Sequence, residues 1–138
     1  MADLQDPTLA PLIQLRAIEE PRGTLVAVQK GTDLPFEFRR VFYIVGLGDT
    51  PRGFHAHEFC EELIICVTGS CRVIVDNGHS RVETLLSRPD QGLHLFAMQW
   101  VEMHDFSEDC VLLVFASELY DEAEYIREYR TFVERTRG

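Results

Sequence analysis

Pro51-Arg52-Gly53-Phe54-His55-Ala56-His57-Glu58-Phe59-Cys60-Glu61-Glu62 is the stretch from which this chain is best read. His55 and His57 stand two residues apart, so on a strand both imidazoles point to one face. If that face is inward, they share one cavity. Glu62 follows His57 by five residues and Gly69 follows Glu62 by seven, giving His-x-His-x4-Glu-x6-Gly. Strand parity alone sends Glu62 to the opposite face. A turn or bulge between Glu58 and Glu61 is needed to bring it back. Two imidazoles and a carboxylate from adjacent strands suit a divalent ion. The same imidazoles suit acid–base work, because their charge changes near neutral pH. His79 and His94 lack such a context and read as surface or turn residues.

Outward from this stretch, the chain is a succession of short β-branched and aromatic runs separated by Gly, Pro, Asp and Ser. They are Thr24–Val28, Arg39–Val45, Leu63–Thr68, Cys71–Asp76, Val82–Leu86, Gly92–Phe96, Trp100–Phe106 and Val111–Ala116. Such spacing predicts a sandwich or barrel rather than alternating βα units. Leu63-Ile64-Ile65-Cys66-Val67 is apolar at every position. It must be covered on both faces, or its outer face must meet a partner subunit. Asn77-Gly78 predicts a hairpin joining Cys71–Asp76 to Val82–Leu86. From Asp121 the apolar positions Tyr125, Ile126, Tyr129, Phe132 and Val133 form a helical stripe. Asp121 with Glu124 resembles a capping box. This predicts a C-terminal helix packed across the barrel mouth or edge, with no catalytic role. Residues 1–10 read as a loosely held lead, and 11–138 as a single domain.

The chain has 138 residues and a formal net charge of −10, with Lys30 its one lysine. So acidic a domain is ill suited to nucleic acid, which is bound by neutralising phosphates. An anionic ligand remains possible where arginines converge, since their forks match phosphate oxygens. No apolar run reaches the roughly 20 residues that span a bilayer. Residues 1–10 contain Asp3 and Asp6 but no basic residue, unlike a signal peptide. A cytoplasmic protein, not bound to membrane, is therefore expected. The four cysteines, Cys60, Cys66, Cys71 and Cys110, contain no Cys-x-x-Cys pair. Cys66, Cys71 and Cys110 read as buried thiols, and Cys60 lies beside the candidate site.

The His55-to-Gly69 pattern resembles the first sequence motif of cupins. In their second motif a further His follows about 40 residues on, and here Glu102 falls at its place. This leaves a metal-binding set of His55, His57, Glu62 and Glu102 as one alternative. A wider resemblance covers nearly the whole chain, from about Ile13 to Phe132. Arg22-Gly23-Thr24-Leu25, Leu34–Tyr43, Arg52–His57, Gly69–Val73, Trp100–Ser107, Asp109–Val114 and Tyr120–Arg127 together look like the nucleotide-sugar 3,4-ketoisomerases of the cupin superfamily.

The resemblance implies an all-β cupin, a jelly-roll barrel (double-stranded β-helix) with a short C-terminal helix, acting as a homodimer. It implies movement of the keto group of a dTDP-4-keto-6-deoxyhexose from C4 to C3, without cofactor or metal. His55 would be the base, with His57 and Tyr43 assisting. Arg52 would hold the pyrophosphate or polarise the carbonyl. Arg39, Arg40, Trp100, Glu102 and Glu62 complete the expected substrate-binding set. The family usually carries Lys, Gln and Arg where this chain has Glu58, Glu62 and Val101. A divergent isomerase, a metal-dependent cupin and a non-catalytic sugar-binding module therefore all stand as readings at this point.

Overall fold

Each predicted β-run becomes a strand, and every run but Thr24–Val28 joins one of two facing sheets. The structure is a computed structural model that describes residues 9–137. The strands are β1 (Leu12–Gln14), β2 (Arg16–Glu20), β3 (Gly23–Ala27), β4 (Arg40–Ile44), β5 (Arg52–His57), β6 (Glu62–Thr68), β7 (Cys71–Asp76), β8 (Arg81–Leu86), β9 (Gln91–Leu95), β10 (Trp100–His104), β11 (Val111–Ala116) and the short β12 (Tyr125–Ile126). A 3-10 turn over Glu122–Glu124 precedes β12, and helix α1 (Tyr129–Arg137) ends the described chain.

One five-stranded sheet runs β1-β9-β6-β11-β4 and the other β12-β5-β10-β7-β8, while among the described residues β2 and β3 pair only with each other. All pairings are antiparallel. This is the jelly-roll cupin barrel. Its inner faces bury Ile64, Cys66, Val73, Val75, Leu93, Val101, Leu112 and Val114 in one cluster.

Strand β6 is buried on both faces because the chain covers its own outer side. Leu63 and Ile65 point outward and pack with Leu15, Leu34 and Phe115, backed by Val26, Val28, Phe36 and Phe38. The segment around β3 and the loop after it therefore does what a partner subunit was one candidate to do. The predicted hairpin forms with Asp76 opposite Arg81. Its turn uses positive φ only at Gly78, and the Asn77 side-chain oxygen accepts from the N–H groups of His79 and Ser80. All four cysteines are buried and unpaired.

Two expectations are corrected. Leu9 and Ala10 are no loose lead, since both lie in the principal core; residues 1–8 lie outside the described residues. The helix does not begin at Asp121. Asp121 caps only the 3-10 turn, by accepting from the Ala123 N–H at 3.0 Å. The capping box cannot close because the Glu124 carboxylate turns into the barrel, where it binds the N–H groups of Phe59 and Cys60. Tyr125 and Ile126 then pair with His57 and Ala56 as a strand. Only α1 keeps the helical stripe, with Phe132 packed beside Trp100 and Ala56. No helix among the described residues is long and apolar enough to cross a membrane.

Candidate active site

A cavity of about 380 Å³ opens between the sheets. Its polar walls are Arg52, Gly53, His55, Glu62, Tyr125 and Arg127, and its apolar walls include Phe42, Ile64, Val101 and Val114. Strand β5 supplies the first group through a bulge. Gly53 and His55 face consecutive residues of β10, Glu102 and Val101, so Phe54 is the extra residue. Gly53 has φ +91°, and a Cβ there would lie 2.8 Å from the Val101 carbonyl oxygen. Phe54 adopts φ +56°, a conformation costly for a bulky residue. Its ring meets His104 edge-on. The bulge lets Arg52, Gly53 and His55 all border the cavity.

His55 Nδ1 lies 3.1 Å from the Gly53 carbonyl oxygen. A carbonyl only accepts, so Nδ1 carries the proton and Nε2 keeps its lone pair. Burial, then the neighbouring His57 and the cavity arginines, hold the His55 pKa down at about 4. His55 is thus a neutral base at physiological pH. His57 lies beside it, ring centroids 5.1 Å apart, with Nδ1 3.1 Å from Glu124 Oε2. Burial pulls the Glu124 pKa up, but the Phe59 and Cys60 N–H groups and His57 outweigh it and the net shift is downward. Glu124 is an ionised anchor that orients His57.

The chain does turn over residues 58–61, and Glu62 opens β6 on the cavity side, as strand parity required. Its Oε2 is 3.6 Å from His57 Nε2. Burial drives its pKa up, opposed by His57 and Arg40 and reinforced by Glu124. Tyr125 packs against both imidazoles, 4.4 Å from His57 and 5.1 Å from His55. Burial raises the pKa of its phenol. Arg127 lies 4.5 Å over the Tyr125 ring and is pinned by two hydrogen bonds to Glu122. Arg40, inward on β4, interacts with Glu62 and Tyr125, and its buried Nε and Nη2 lack a hydrogen-bond partner among the described residues.

Four expected site residues are elsewhere. Tyr43 is 71 % exposed, because on β4 Arg40, Phe42 and Ile44 take the inward positions. Trp100 and Glu102 sit on the face of β10 opposite Val101 and Met103, which border the cavity. Trp100 packs under α1 against Tyr129 and Phe132 and donates its indole N–H to Glu102 at 3.0 Å. Glu102 also holds His104. Arg39 is exposed beside Phe59 and Tyr120, in a separate depression. With Glu102 on the far face, the set His55, His57, Glu62 and Glu102 does not converge on a metal. His57, Cys60 and Glu124 do bring donor atoms within 4.8 Å of one another. Glu124 is already engaged by three hydrogen bonds, and burial pushes the Cys60 thiol up, so this trio is a hydrogen-bonded support for His57. His94 is not at the surface: it is buried on β9, hydrogen-bonded to Glu61 at 2.8 Å and stacked on Phe96. His79 is exposed in the hairpin turn, as expected.

Glu124, Tyr125 and Arg127 were hidden inside the apparent helical stripe. The signal that would have found them is the alternation Tyr125-Ile126-Arg127, two polar groups either side of a buried Ile126.

A jelly-roll barrel that holds a neutral imidazole, a buried carboxyl and arginines around one cavity is a cupin equipped for proton transfer on an anionic ligand. The chain belongs to the family described as FdtA: WxcM-like, C-terminal, which matches residues 9–137. It is 47 % identical over 122 residues, 88 % of each chain, to the TDP-4-oxo-6-deoxy-alpha-D-glucose-3,4-oxoisomerase of Aneurinibacillus thermoaerophilus. It is similar to a 3,4-ketoisomerase from Helicobacter canadensis, with TM-score 0.90 and 36 % identity, covering 94 % of this chain and 98 % of the other. It is also similar to QdtA, a sugar 3,4-ketoisomerase from Thermoanaerobacterium thermosaccharolyticum solved with TDP, with TM-score 0.90 and 35 % identity, covering 94 % and 95 %.

Proposed function

We propose that this chain is a sugar 3,4-ketoisomerase that moves the keto group of a TDP-linked 4-keto-6-deoxyhexose from C4 to C3. The observation that carries this is His55, tied through Nδ1 to the Gly53 carbonyl and kept neutral in the wall of an arginine-bordered cavity. The two solved ketoisomerases named above share the fold over 94 % of this chain.

His55 Nε2 removes the C3 proton. The C–H electron pair forms the C3=C4 bond and the former C4=O4 pair moves onto O4, giving an enediolate. Reprotonation at C4 and loss of the O3 hydroxyl proton leave a carbonyl at C3 and a hydroxyl at C4. One proton has moved between carbons and one between oxygens. General acid–base groups typically contribute about 10²–10⁴-fold to such a step. Tyr125 replaces Tyr43 as the phenol of the site, since it packs on both imidazoles. Arg52 and Arg127 border the cavity and suit the pyrophosphate. The product carries its carbonyl where a transaminase would install a 3-amino group. We further propose a homodimer as the working form.

The test is a proton NMR time course with TDP-4-keto-6-deoxyglucose in deuterium oxide. The expected result is formation of the 3-keto sugar with solvent deuterium at the carbon that is protonated. A sugar-binding module would give neither product nor deuterium, and that outcome overturns the reading.

A further inference from the structure

Two buried carboxyl groups flank His57, and their surroundings differ sharply. Glu124 accepts three hydrogen bonds, from His57 Nδ1 and from the N–H groups of Phe59 and Cys60. Glu62, with its side chain 8 % exposed, accepts none from any described residue. We propose that Glu62 works as a neutral carboxylic acid whose O–H is the hydrogen-bond donor to the oxyanion that develops on the bound keto-sugar. The inference rests on the ketoisomerase reading above and assigns that site a residue for its charge-stabilising step.

His57 Nε2 is 3.6 Å from Glu62 Oε2, beyond hydrogen-bond reach. His57, and after it Arg40 on β4, favour ionisation of Glu62, while Glu124 from the 3-10 turn opposes it. Cys60 and Tyr125 face it as neutral groups, their acid forms favoured by burial. His55 across the cavity is neutral too. The flanking strands offer only Ala116 and Leu95 opposite Glu62. Burial is the largest of these influences, and the net shift favours the protonated form. Similar carboxyls in unlike environments taking opposite charge states is how one site divides its roles.

The chemistry needs this state. An ionised Glu62 would repel the enediolate forming in the same cavity. A neutral one turns an O–H toward it, and a donor aimed at developing charge is worth about 10²–10³-fold in kcat.

Steady-state kinetics of Glu62→Leu and Glu62→Gln across pH test this. Glu62→Leu should lower kcat by about 10²–10³-fold with little change in KM. Glu62→Gln supplies an N–H donor and should recover most of that loss. The parent should lose kcat as pH rises and Glu62 ionises, and this alkaline limb should be absent in Glu62→Gln, which has nothing to ionise. Near-parental activity in Glu62→Leu overturns the proposal. So does a Gln variant as inactive as the Leu variant, or an alkaline limb that persists in it. Matching thermal melts for the three proteins assign any loss to the site. A parent protein that turns over no keto-sugar refutes the ketoisomerase reading itself, before any variant is compared.

Discussion

At His55 one hydrogen bond and burial together supply what the proposed base requires. The Gly53 carbonyl selects the tautomer and desolvation keeps the ring uncharged. His55→Asn keeps a polar side chain of similar reach but has no basic lone pair. It should lower kcat by about 10²–10⁴-fold while nucleotide affinity, measured by calorimetry with TDP, stays within a few-fold. The acid side follows by sign. A base with its pKa at about 4 is unprotonated well below the 6.5 of a free histidine. Folding stability shows the same shift: between 6.5 and about 4 the unfolded chain binds a proton at this position that the folded protein refuses. Stability is therefore untouched above 6.5 and lost as pH falls towards 4. His55→Asn should flatten that part of a melting-temperature profile. A variant that still turned over at the parental rate would remove His55 from the base role.

At the scale of the element, the β5 bulge is what converts a His-x-His strand into a site. Gly53 is the residue that permits it, because its φ of +91° and the Val101 carbonyl 2.8 Å from a would-be Cβ leave no room for a side chain. Gly53→Ala should cost about 2 kcal/mol or more, from the left-handed backbone and the clash together. It should also lower activity disproportionately, since the displaced carbonyl is the one that orients His55. Chemical denaturation and kinetics on the same sample check both; an unchanged denaturation midpoint would remove the steric argument. The strands were legible because period-two patterns and turn residues are local signals. Glu62 was placed correctly once parity demanded a turn at residues 58–61. Tyr43 was not, because sequence cannot tell which parity of an edge strand such as β4 faces in. Trp100 and Glu102 failed on the central strand β10, where the alternation reads equally well in either parity and the inward positions go to Val101 and Met103. At the C-terminus a 3.6-residue period runs across a strand–helix junction. Glu124 breaks it only because the N–H groups of Phe59 and Cys60, more than sixty residues away, claim its carboxylate.

At the scale of the whole molecule, one face of the β2–β3 hairpin is left uncovered. The β2–β3 hairpin belongs to neither large sheet. It exposes Ile18 at 55 % and Leu25 at 58 %. Strand β4 ends its sheet, and Val41 and Tyr43 with neighbouring Val45 are exposed beside it. Open strand edges and clustered apolar side chains are costly to leave in water, and a second copy is a symmetric way to cover them. Opposing this is the net charge of −10 on each copy. Like charges at the rim repel across distances that salt screens to about 8–10 Å at physiological strength. The proposed dimer should therefore tighten as salt rises, the reverse of what an interface held by ion pairs would do. Sedimentation velocity at micromolar protein should give a species of twice 15.9 kDa, with any monomer fraction shrinking on added salt. Ile18→Lys with Leu25→Lys places charge in the apolar patch of the hairpin, far along the chain from His55 and Glu62. It should shift the population toward monomer while far-ultraviolet circular dichroism keeps the barrel signature. A parent protein that sediments as a 15.9 kDa monomer at every salt concentration would show that the hairpin and the β4 edge remain uncovered in solution.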